Sequence, residues 1–514
     1  MVIKTIIGTE NKEVYNFRTQ PDILEESKNK YGDNVALSFF KREITYGQLF
    51  NMVNGVSRQL SEKINKGDVV ILSTQNIPQF IIAEYAIWNL GGIVLPVNPL
   101  YSKRELDFLI KDSNAKLMIA SCESTKHDRI ELMTTNPNTF FEIPYEYKEK
   151  WKLNDDCEEM LEFNGKNGIK RNLSPSDIAL LVYTSGTTGI PKGVPITHSN
   201  IYASSFIYKD WFAFSSKDKV LGIAPFFHIT GQIFHITTSI LSGSSISTLF
   251  RFDPNLALQY VEDEKTTLTM SVATAYRGML NALDKQDLSS MRMWSSGGMP
   301  MPEVLEEEWK KKVGSYIYMA WGLTETTSPA TLWPYPYDGK LPVDNGIVSS
   351  GIPVYETQIE IREDDEIFVR GPQVVKGYWK QGEFKDGWLP TGDVGKIIGN
   401  WVFIIDRKKD IIDTSGFKVM PREVEEIIYK HKAVDEVAVV GMPDSYRGEA
   451  VIAYVKLKDG YTQSEALAKD IINFCRINLA PYKVPREIRF VSNIPKTPSG
   501  KIMRRTFKEE ENTK

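Results

Sequence analysis

Cysteine and histidine are scarce in this chain. Its 514 residues include three cysteines and five histidines. Cys122, Cys157 and Cys475 lack the close pairing that is typical of a zinc site, and the scattered histidines add no such pattern. The sequence therefore predicts no metal centre held by these residue types. The low cysteine content also favours a reducing compartment.

An excess of charge of one sign is also absent. Lysine and arginine total 62, aspartate and glutamate total 66, and the formal net charge is −4. Proteins that bind nucleic acid through its phosphates carry a basic surface, so this balance argues against such a partner. Residues 1–20 carry charges too early and too often for a signal peptide. We therefore expect a cytoplasmic protein with small-molecule partners.

Formal charge is missing altogether between Lys219 and Arg251. This segment is long enough to span a bilayer as a helix. However, it contains Pro225, two histidines, three glycines and many hydroxyl residues. These residues favour a buried strand–loop–helix–strand passage, so we predict no transmembrane segment.

The length of the chain and its alternating pattern predict an α/β fold of more than one domain. The apolar run 68–74 reads as a strand, 77–90 as a helix and 93–97 as the next strand. Ser102 and Glu105 have the spacing of a capping box at the start of another helix. Such alternation predicts mainly parallel sheets covered by helices.

The pattern changes twice in the last third of the chain. Short strands and turns follow Val354, and a compact mixture of helices and strands follows Arg407. We therefore predict a large N-terminal domain over 1–406, which includes a β-rich subdomain. A small, mobile α+β domain is predicted over 407–514.

Hydroxyl residues and glycines are concentrated in one stretch, which directly follows the apolar run 177–183. Backbone N–H groups of a glycine-rich loop form an anion-binding concavity, and hydroxyl groups can turn toward phosphate oxygens. The stretch matches neither the Walker loop nor the dinucleotide loop. Taken alone, it fits either a phosphate-binding loop or an ordinary flexible loop. Its residues are Thr184, Ser185, Gly186, Thr187, Thr188 and Gly189, with Lys192 three positions later.

Seven further motifs follow in order along the chain. Together with TSGTTGIPKG (184–193), they resemble the signature of the acyl-adenylate-forming superfamily, which includes AMP-forming acyl-CoA synthetases, luciferase-like enzymes and peptide-synthetase adenylation domains. The resemblance covers nearly the whole chain. The motifs are PFFH (225–228), SSGGMPMP (295–302), WGLTET (321–326), TGD (391–393), DRKKDIIDTSGFKV (406–419), PREVE (421–425) and PKTPSGK (495–501).

This resemblance implies a two-step reaction. ATP converts a carboxylate into an acyl-adenylate with release of pyrophosphate, and the thiol of coenzyme A then displaces AMP. The resemblance assigns Thr184–Gly189 and Lys192 to the β- and γ-phosphates, Glu325 to Mg²⁺ and Thr324 to the α-phosphate. ATP, Mg²⁺ and coenzyme A are thus the expected cofactors. Attack at phosphorus is catalysed mainly by positioning and charge neutralisation, which these residue types can supply.

The nucleoside half of the site is implied in the same way. Gly297, Gly298 and Met299 resemble the loop that flanks adenine. Trp321 stands where many relatives have tyrosine, which retains a stacking surface but leaves the tyrosine hydroxyl without a replacement. The ribose hydroxyls are implied to donate hydrogen bonds to Asp393, with Arg407 nearby.

The acid pocket is less sharply defined. The resemblance implies that His228 orders the site beside the carboxylate. No aspartate occurs in 225–234, where adenylation domains pair the ammonium group of an amino acid, so an amino acid substrate is disfavoured. Gly322 replaces the tryptophan that closes the pocket of acetyl-CoA synthetases. We therefore expect a fatty or other acid longer than acetate.

The C-terminal domain is implied to carry two further functions. Lys501 corresponds to the lysine that bridges the carboxylate and the α-phosphate during adenylation. Lys409 falls at the hinge about which the small domain rotates between the half-reactions. After that rotation, Gly416 is implied to line the thiol tunnel, where the absence of a side chain lets pantetheine pass close to the backbone.

Three functions remain open at this stage. The first is an AMP-forming acyl-CoA synthetase. The second is an adenylating enzyme that loads a carrier protein or, like luciferase, oxidises the acyl group. The third is an inactive acyl or nucleotide sensor, against which the presence of Lys192, Glu325, Asp393 and Lys501 argues.

Overall fold

The structure is a computed structural model that describes residues 4–10, 15–139, 143–153, 157–184, 191–497 and 500–511. Short 3₁₀ turns and a π-helical segment, Gly231–Thr237, accompany the α-helices. Within the described residues, the α-helices are Gln20–Tyr31, Tyr46–Leu60, Pro78–Asn89, Lys103–Ser113, Tyr145–Trp151, His198–Trp211, Thr238–Ser242, Pro254–Glu264, Ala273–Ala282, Glu303–Val313, Pro421–Tyr429, Glu465–Asn478 and Arg504–Glu511.

The first large sheet has six strands. All neighbours are parallel except the last pair, which is antiparallel. In spatial order the strands are Glu131–Thr135, Leu117–Ser121, Val69–Ser73, Ile93–Pro96, Ile178–Thr184 and Lys192–Thr197.

The second large sheet has nine strands. Its six central strands are parallel, and antiparallel strands complete both edges. In spatial order the strands are Ile352–Pro353, Thr331–Leu332, Ile317–Trp321, Met293–Ser296, Leu268–Ser271, Lys219–Gly222, Ser245–Thr248, Val35–Phe39 and Arg42–Thr45.

A five-stranded antiparallel sheet forms the β-rich part of the chain, and a short ribbon pairs Val343–Asp344 with Ile347–Val348. The five strands are Lys4–Ile7, Gln358–Ile361, Glu366–Arg370, Leu389–Ile398 and Trp401–Arg407.

The C-terminal segment has a sheet and a core of its own. Its buried apolar cluster, which includes Ile412, Val437 and Ile471, is separate from the clusters of the preceding sheets. The strands are Ile412–Thr414, Phe417–Val419, Val434–Asp444, Gly448–Leu457 and Glu487–Phe490. The domain boundary at residue 407 and the mobility of the segment both stay predictions.

Local expectations are confirmed where the pattern was clear. The runs 68–74, 77–90 and 93–97 contain the strand Val69–Ser73, the helix Pro78–Asn89 and the strand Ile93–Pro96. The helix Pro78–Asn89 is buried on all sides, which explains why most of its residues are apolar. The capping box of Ser102 and Glu105 is formed in both directions.

The charge-free segment between Lys219 and Arg251 is interior structure. It forms the strand Lys219–Gly222, the helical turns Gly231–Ser242 and the strand Ser245–Thr248, and nearly all of its side chains are buried. None of the helices in the described ranges combines the length and apolar character that crossing a bilayer requires.

Two of the three cysteines are joined. Cys122 and Cys157 form a disulfide across a sequence separation of 35 residues, and Cys475 is a free, buried thiol. Nothing in the spacing of three cysteines indicates which two will pair, so this link was not expected from the sequence.

Candidate active site

Three of the motif segments begin where parallel strands of the nine-stranded sheet end. The strand Lys219–Gly222 leads into 225–228, Met293–Ser296 leads into 297–299, and Ile317–Trp321 leads into 322–325. Because the carboxyl ends of parallel strands meet at one edge of a sheet, the three segments lie along the same edge. This edge is where open α/β sheets bind ligands.

The predicted phosphate loop connects two antiparallel strands of the six-stranded sheet. Thr184 ends one strand, Lys192 begins the next, and the two residues are paired in register. The Lys192 ammonium lies 4.6 Å from the centre of the Tyr378 ring. The remaining predicted loop residues lie outside the described residues: Ser185, Gly186, Thr187, Thr188 and Gly189.

Glu325 is a buried carboxylate in the short 3₁₀ turn Thr324–Thr326. The Tyr378 hydroxyl donates a hydrogen bond to its Oε1 at 3.0 Å, and burial raises the pKa of Glu325 above the usual range. A carboxylate oxygen suits a hard cation such as Mg²⁺. The described residues contain no group of three acidic, histidine or cysteine side chains that could hold a metal alone.

Asp393 is almost fully buried and has partners on both oxygens. The indole N–H of Trp321 donates to Oδ2 at 2.9 Å, and the Arg407 guanidinium lies 3.4 Å from Oδ1. Burial raises the pKa of Asp393, and the positive charge of Arg407 opposes that rise. The Trp321 contact was not expected from the sequence, which suggested only a stacking surface.

Lys501 reaches the same edge from the C-terminal segment. Its Cε lies 3.2 Å from the position that a Cβ on Gly298 would occupy, and the Thr274 hydroxyl donates to the Gly500 carbonyl at 3.2 Å. Burial and the nearby Arg407 lower the pKa of Lys501 to about 8, against the opposing charges of Asp393 and Glu325. A lysine of the C-terminal segment therefore lies close to candidate site residues of the preceding part of the chain.

His228 is a neutral imidazole at this edge. Burial and the charge of Lys501 lower the pKa of His228 to about 3, and its Nδ1 accepts a hydrogen bond from the backbone N–H of Thr230 at 3.3 Å. An imidazole that stays neutral at pH 7 can orient a ligand by hydrogen bonding but supplies no positive charge.

Comparison with known families agrees with this arrangement. The AMP-binding enzyme family matches residues 24–379, and the C-terminal domain of AMP-binding enzymes matches residues 423–501. The chain belongs to the AMP-binding enzyme family. The predicted acyl-adenylate-forming class and the type of enzyme, an AMP-forming acid–thiol ligase, are therefore confirmed. Membership also makes an adenine nucleotide its ligand.

Two curated relatives and one solved structure show how far the similarity extends. A long-chain-fatty-acid–CoA ligase of Bacillus subtilis (strain 168) is 34% identical, over 96% of this chain and 95% of its own length. One of the same name from Escherichia coli O157:H7 is 31% identical, over 96% and 95%. The crystal structure of ATP-bound MatB from Rhodopseudomonas palustris superposes with a TM-score of 0.83 at 26% identity, over 96% and 99%. The predicted fold class is thereby confirmed.

Gly322 was expected to leave space for an acid longer than acetate. The geometry around Gly322 in this AMP-binding enzyme does not support that expectation. A Cβ at this position would lie 1.5 Å from the Ser328 carbonyl oxygen. The glycine therefore allows two backbone segments to approach closely, and its missing side chain does not by itself create space for an acyl chain. Any substitution at Gly322 would displace this turn.

Two predicted residues lie apart from the edge described above. Lys409 is exposed in the short turn Lys408–Asp410, which follows the last strand of the β-rich sheet. Gly416 has a φ of +84° in an exposed turn, and nothing lies within 4 Å of its Cβ position. Their predicted functions belong to the second half-reaction.

Three polar residues that the sequence did not indicate form contacts within the candidate site. Tyr378 contacts both Glu325 and Lys192. Asn76 donates to the carbonyls of residues 222 and 224 and accepts from the N–H of Phe226, and Gln232 donates to the Phe226 carbonyl. Asn76 follows the buried strand Val69–Ser73 by three residues, and a polar residue in such a strand-exit loop is a sequence signal that could have indicated this function.

Proposed function

We propose that this enzyme activates an aliphatic carboxylic acid longer than acetate and transfers the acyl group to coenzyme A, with MgATP as the nucleotide substrate. The observation that carries the proposal is the position of Lys501, between the loop at Gly298 and the charges of Asp393 and Glu325. A cation there can neutralise charge that builds up between a carboxylate and the α-phosphate.

In the first half-reaction, a carboxylate oxygen of the acid attacks the α-phosphorus of ATP. The bond to the bridging oxygen breaks, and pyrophosphate leaves with the electron pair. Lys501 and Thr324 are assigned to the α-phosphate, and Lys192 with the loop 184–189 is assigned to the departing phosphates. Glu325 would bind the Mg²⁺ that accompanies ATP, and the metal supplies further charge neutralisation.

The nucleoside is assigned to the groups around Asp393. Its carboxylate would accept hydrogen bonds from the ribose hydroxyls, next to Arg407. Gly297, Gly298 and Met299 would flank the adenine, since the loop carries little side-chain bulk. Trp321 gains a second function here, because its N–H already holds one oxygen of Asp393 in place.

The aliphatic character of the acid rests on the surroundings of His228. Phe226, Ile229 and Ile233, its neighbours in the sequence, are buried, and no acidic residue occurs in 225–234. Apolar neighbours suit an apolar chain, and the segment gives an ammonium group no partner. The names of the two curated relatives, both long-chain-fatty-acid–CoA ligases, agree with this assignment.

In the second half-reaction, the thiol sulfur of coenzyme A attacks the acyl carbon, and AMP leaves as the acyl–oxygen bond breaks. The thiol proton passes to solvent. We assign a rotation about Lys409 to this step, which would remove Lys501 from the cleft and bring Gly416 toward it. The domains 1–406 and 407–514 are the moving units of the proposal.

The test is an exchange assay followed by a panel of acids. With acid, ATP and Mg²⁺, labelled pyrophosphate should enter ATP before any coenzyme A is added. Coenzyme-A-dependent release of AMP should then be fastest with hexanoate, dodecanoate or palmitate and slow with acetate or alanine. Glu325→Gln should weaken the exchange strongly, because it removes the charge of the metal ligand. Exchange that needs coenzyme A, or a preference for acetate, would contradict the proposal.

A further inference from the structure

The segment 375–379 is attached to both sides of the proposed MgATP site. At one end, the Val375 N–H donates to the Glu325 carbonyl at 2.9 Å. At the other end, the Trp379 N–H donates to the Gly193 carbonyl at 2.8 Å, next to Lys192. Backbone hydrogen bonds at both ends limit the movement of whatever lies between them.

Tyr378 lies between these two attachments and uses both parts of its side chain. Its hydroxyl donates to Glu325 Oε1 at 3.0 Å, and its ring faces the Lys192 ammonium at 4.6 Å. The ring is also packed edge-on against Phe384, at 5.3 Å between centres. One rigid aromatic residue therefore contacts the candidate metal ligand and the candidate phosphate lysine together.

We propose that Tyr378 is a positioning residue of the MgATP site: its hydroxyl orients the Glu325 carboxylate for Mg²⁺, and its ring holds the Lys192 ammonium in place for the phosphates of ATP. The inference deepens the proposed function and rests on it, because the metal arrives with ATP. A carboxylate that is held by one oxygen loses less rotational freedom when the other binds a metal. An ammonium on an aromatic face is likewise held in place before the phosphates arrive.

The chain contains a matched control for this residue. Tyr316 is also half-buried, its hydroxyl donates to the Gly339 carbonyl at 3.3 Å, and the Lys310 ammonium lies 3.5 Å from its ring centre. It has the same three features as Tyr378, but its partners are not site residues. Tyr316→Phe therefore reports the general cost of deleting such a hydroxyl.

The experiment measures ATP binding by calorimetry, without acid or coenzyme A, in the presence and absence of Mg²⁺. Tyr378→Phe removes the hydroxyl and keeps the ring, so it should reduce the gain in ATP affinity that Mg²⁺ provides by ~10-fold, the range for a hydrogen bond to a charged group. Its affinity for metal-free ATP should match that of the wild type. Tyr378→Leu should in addition weaken metal-free ATP binding several-fold, because Lys192 is no longer held.

Activity and stability measurements complete the test. Tyr378→Phe should raise the KM for MgATP without changing the KM for the acid, and Tyr316→Phe should change neither. Melting temperatures of all variants identify any that fail to fold. An unchanged Mg²⁺ effect in Tyr378→Phe would overturn the function of the hydroxyl, and equal metal-free binding by Tyr378→Leu and Tyr378→Phe would overturn that of the ring. Failure of the wild type to bind ATP would instead refute the proposed function.

Discussion

Lys501 lies among charges of both signs. Burial and Arg407 favour its neutral form, whereas Asp393 and Glu325 favour the cation. The first pair has the larger effect, and the pKa of Lys501 falls to about 8 from a usual value near 10.4. The lysine is therefore still a cation at pH 7, as its proposed function requires, but loses its charge within the range that assays can reach.

This position predicts a pH limit for adenylation. In pyrophosphate exchange, kcat/KM reports the free enzyme, so it should fall as pH rises through about 8 and Lys501 loses its proton. Lys501→Arg should remove this decrease of kcat/KM at alkaline pH, because a guanidinium stays charged throughout. If kcat/KM of Lys501→Arg still fell through about the same pH, another group would be the one that titrates.

Replacing the same residue should separate the two proposed half-reactions. Lys501→Ala should slow adenylation by ~100-fold or more, the scale for losing one preorganised electrostatic contact. Its rate from pre-made acyl-adenylate and coenzyme A should stay within a few-fold of wild type, because the lysine is needed only for the first step. Single-turnover mixing measures both rates. Equal losses in both would argue for one fixed arrangement of the domains.

The loop 225–228 lies at the edge of the nine-stranded sheet. It is held there by the side chain of Asn76, which comes from a loop that follows a strand of the six-stranded sheet. Asn76 donates to the carbonyls of residues 222 and 224 at 3.2 and 2.9 Å and accepts from the Phe226 N–H at 2.8 Å. All three contacts are buried. The backbone that carries His228 is thus fixed by a residue 150 positions away from Phe226.

Loss of these contacts should affect the acid and not the nucleotide. Asn76→Ala leaves a buried N–H without its partner, which costs about 1–3 kcal/mol. We expect a fall of ~10-fold or more in single-turnover adenylation and a higher KM for the acid, with ATP affinity unchanged. Asn76→Asp should be at least as damaging, because its carboxylate would face two carbonyl oxygens.

Asn473→Ala is the control for these variants, since Asn473 is exposed on the helix Glu465–Asn478, away from the sheet edge. It should leave both half-reactions unchanged. Wild-type kinetics for the acid in Asn76→Ala would show that the loop keeps its position without these bonds.

Across the whole molecule, several polar contacts join the C-terminal segment to the preceding part of the chain, including those of Arg422 with Asp406 and with the Ile404 carbonyl. The Lys430 ammonium lies 2.7 Å from Glu303, the backbone N–H of Glu303 lies 3.4 Å from Glu426, and Thr274 contacts the Gly500 carbonyl. Lys430 is 39% exposed, so its ion pair contributes little and can be broken at small cost. An exposed pair of this kind suits the proposed rotation, in which this contact would break and form again.

Reversing one charge of this pair should slow the first half-reaction relative to the second. Lys430→Glu places two carboxylates together, and we expect a loss of a few-fold in adenylation, in line with ~1 kcal/mol for a surface pair. The step from pre-made acyl-adenylate should be unchanged or faster. The double variant Glu303→Lys with Lys430→Glu should restore adenylation.

Lys469→Glu reverses a charge within an exposed pair of the C-terminal segment itself, the one with Glu465, and serves as control. It should leave the ratio of the two rates unchanged. If the double variant failed to recover, the pair would not be the contact that docks the domain.

Local elements and the residue types of the site follow from the linear order of the amino acids. Alternating apolar runs specify the strand Val69–Ser73 and the helix Pro78–Asn89, and the spacing of Ser102 and Glu105 specifies a helix start. These features depend on neighbours within a few positions, so a linear pattern is sufficient to predict them. The ordered motifs likewise led to the family, because each keeps its own short spacing.

Contacts between residues far apart in the chain are known from the three-dimensional fold alone. Tyr378 and Glu325 are 53 positions apart, Trp321 and Asp393 are 72 apart, and Asn76 and Phe226 are 150 apart. The bond between Cys122 and Cys157, which are 35 positions apart, belongs to the same class. Such contacts depend on the order of strands in the sheets and on the way loops cross their edges. Local hydrophobic periodicity does not specify that order, because strands with the same pattern can occupy several positions in a sheet.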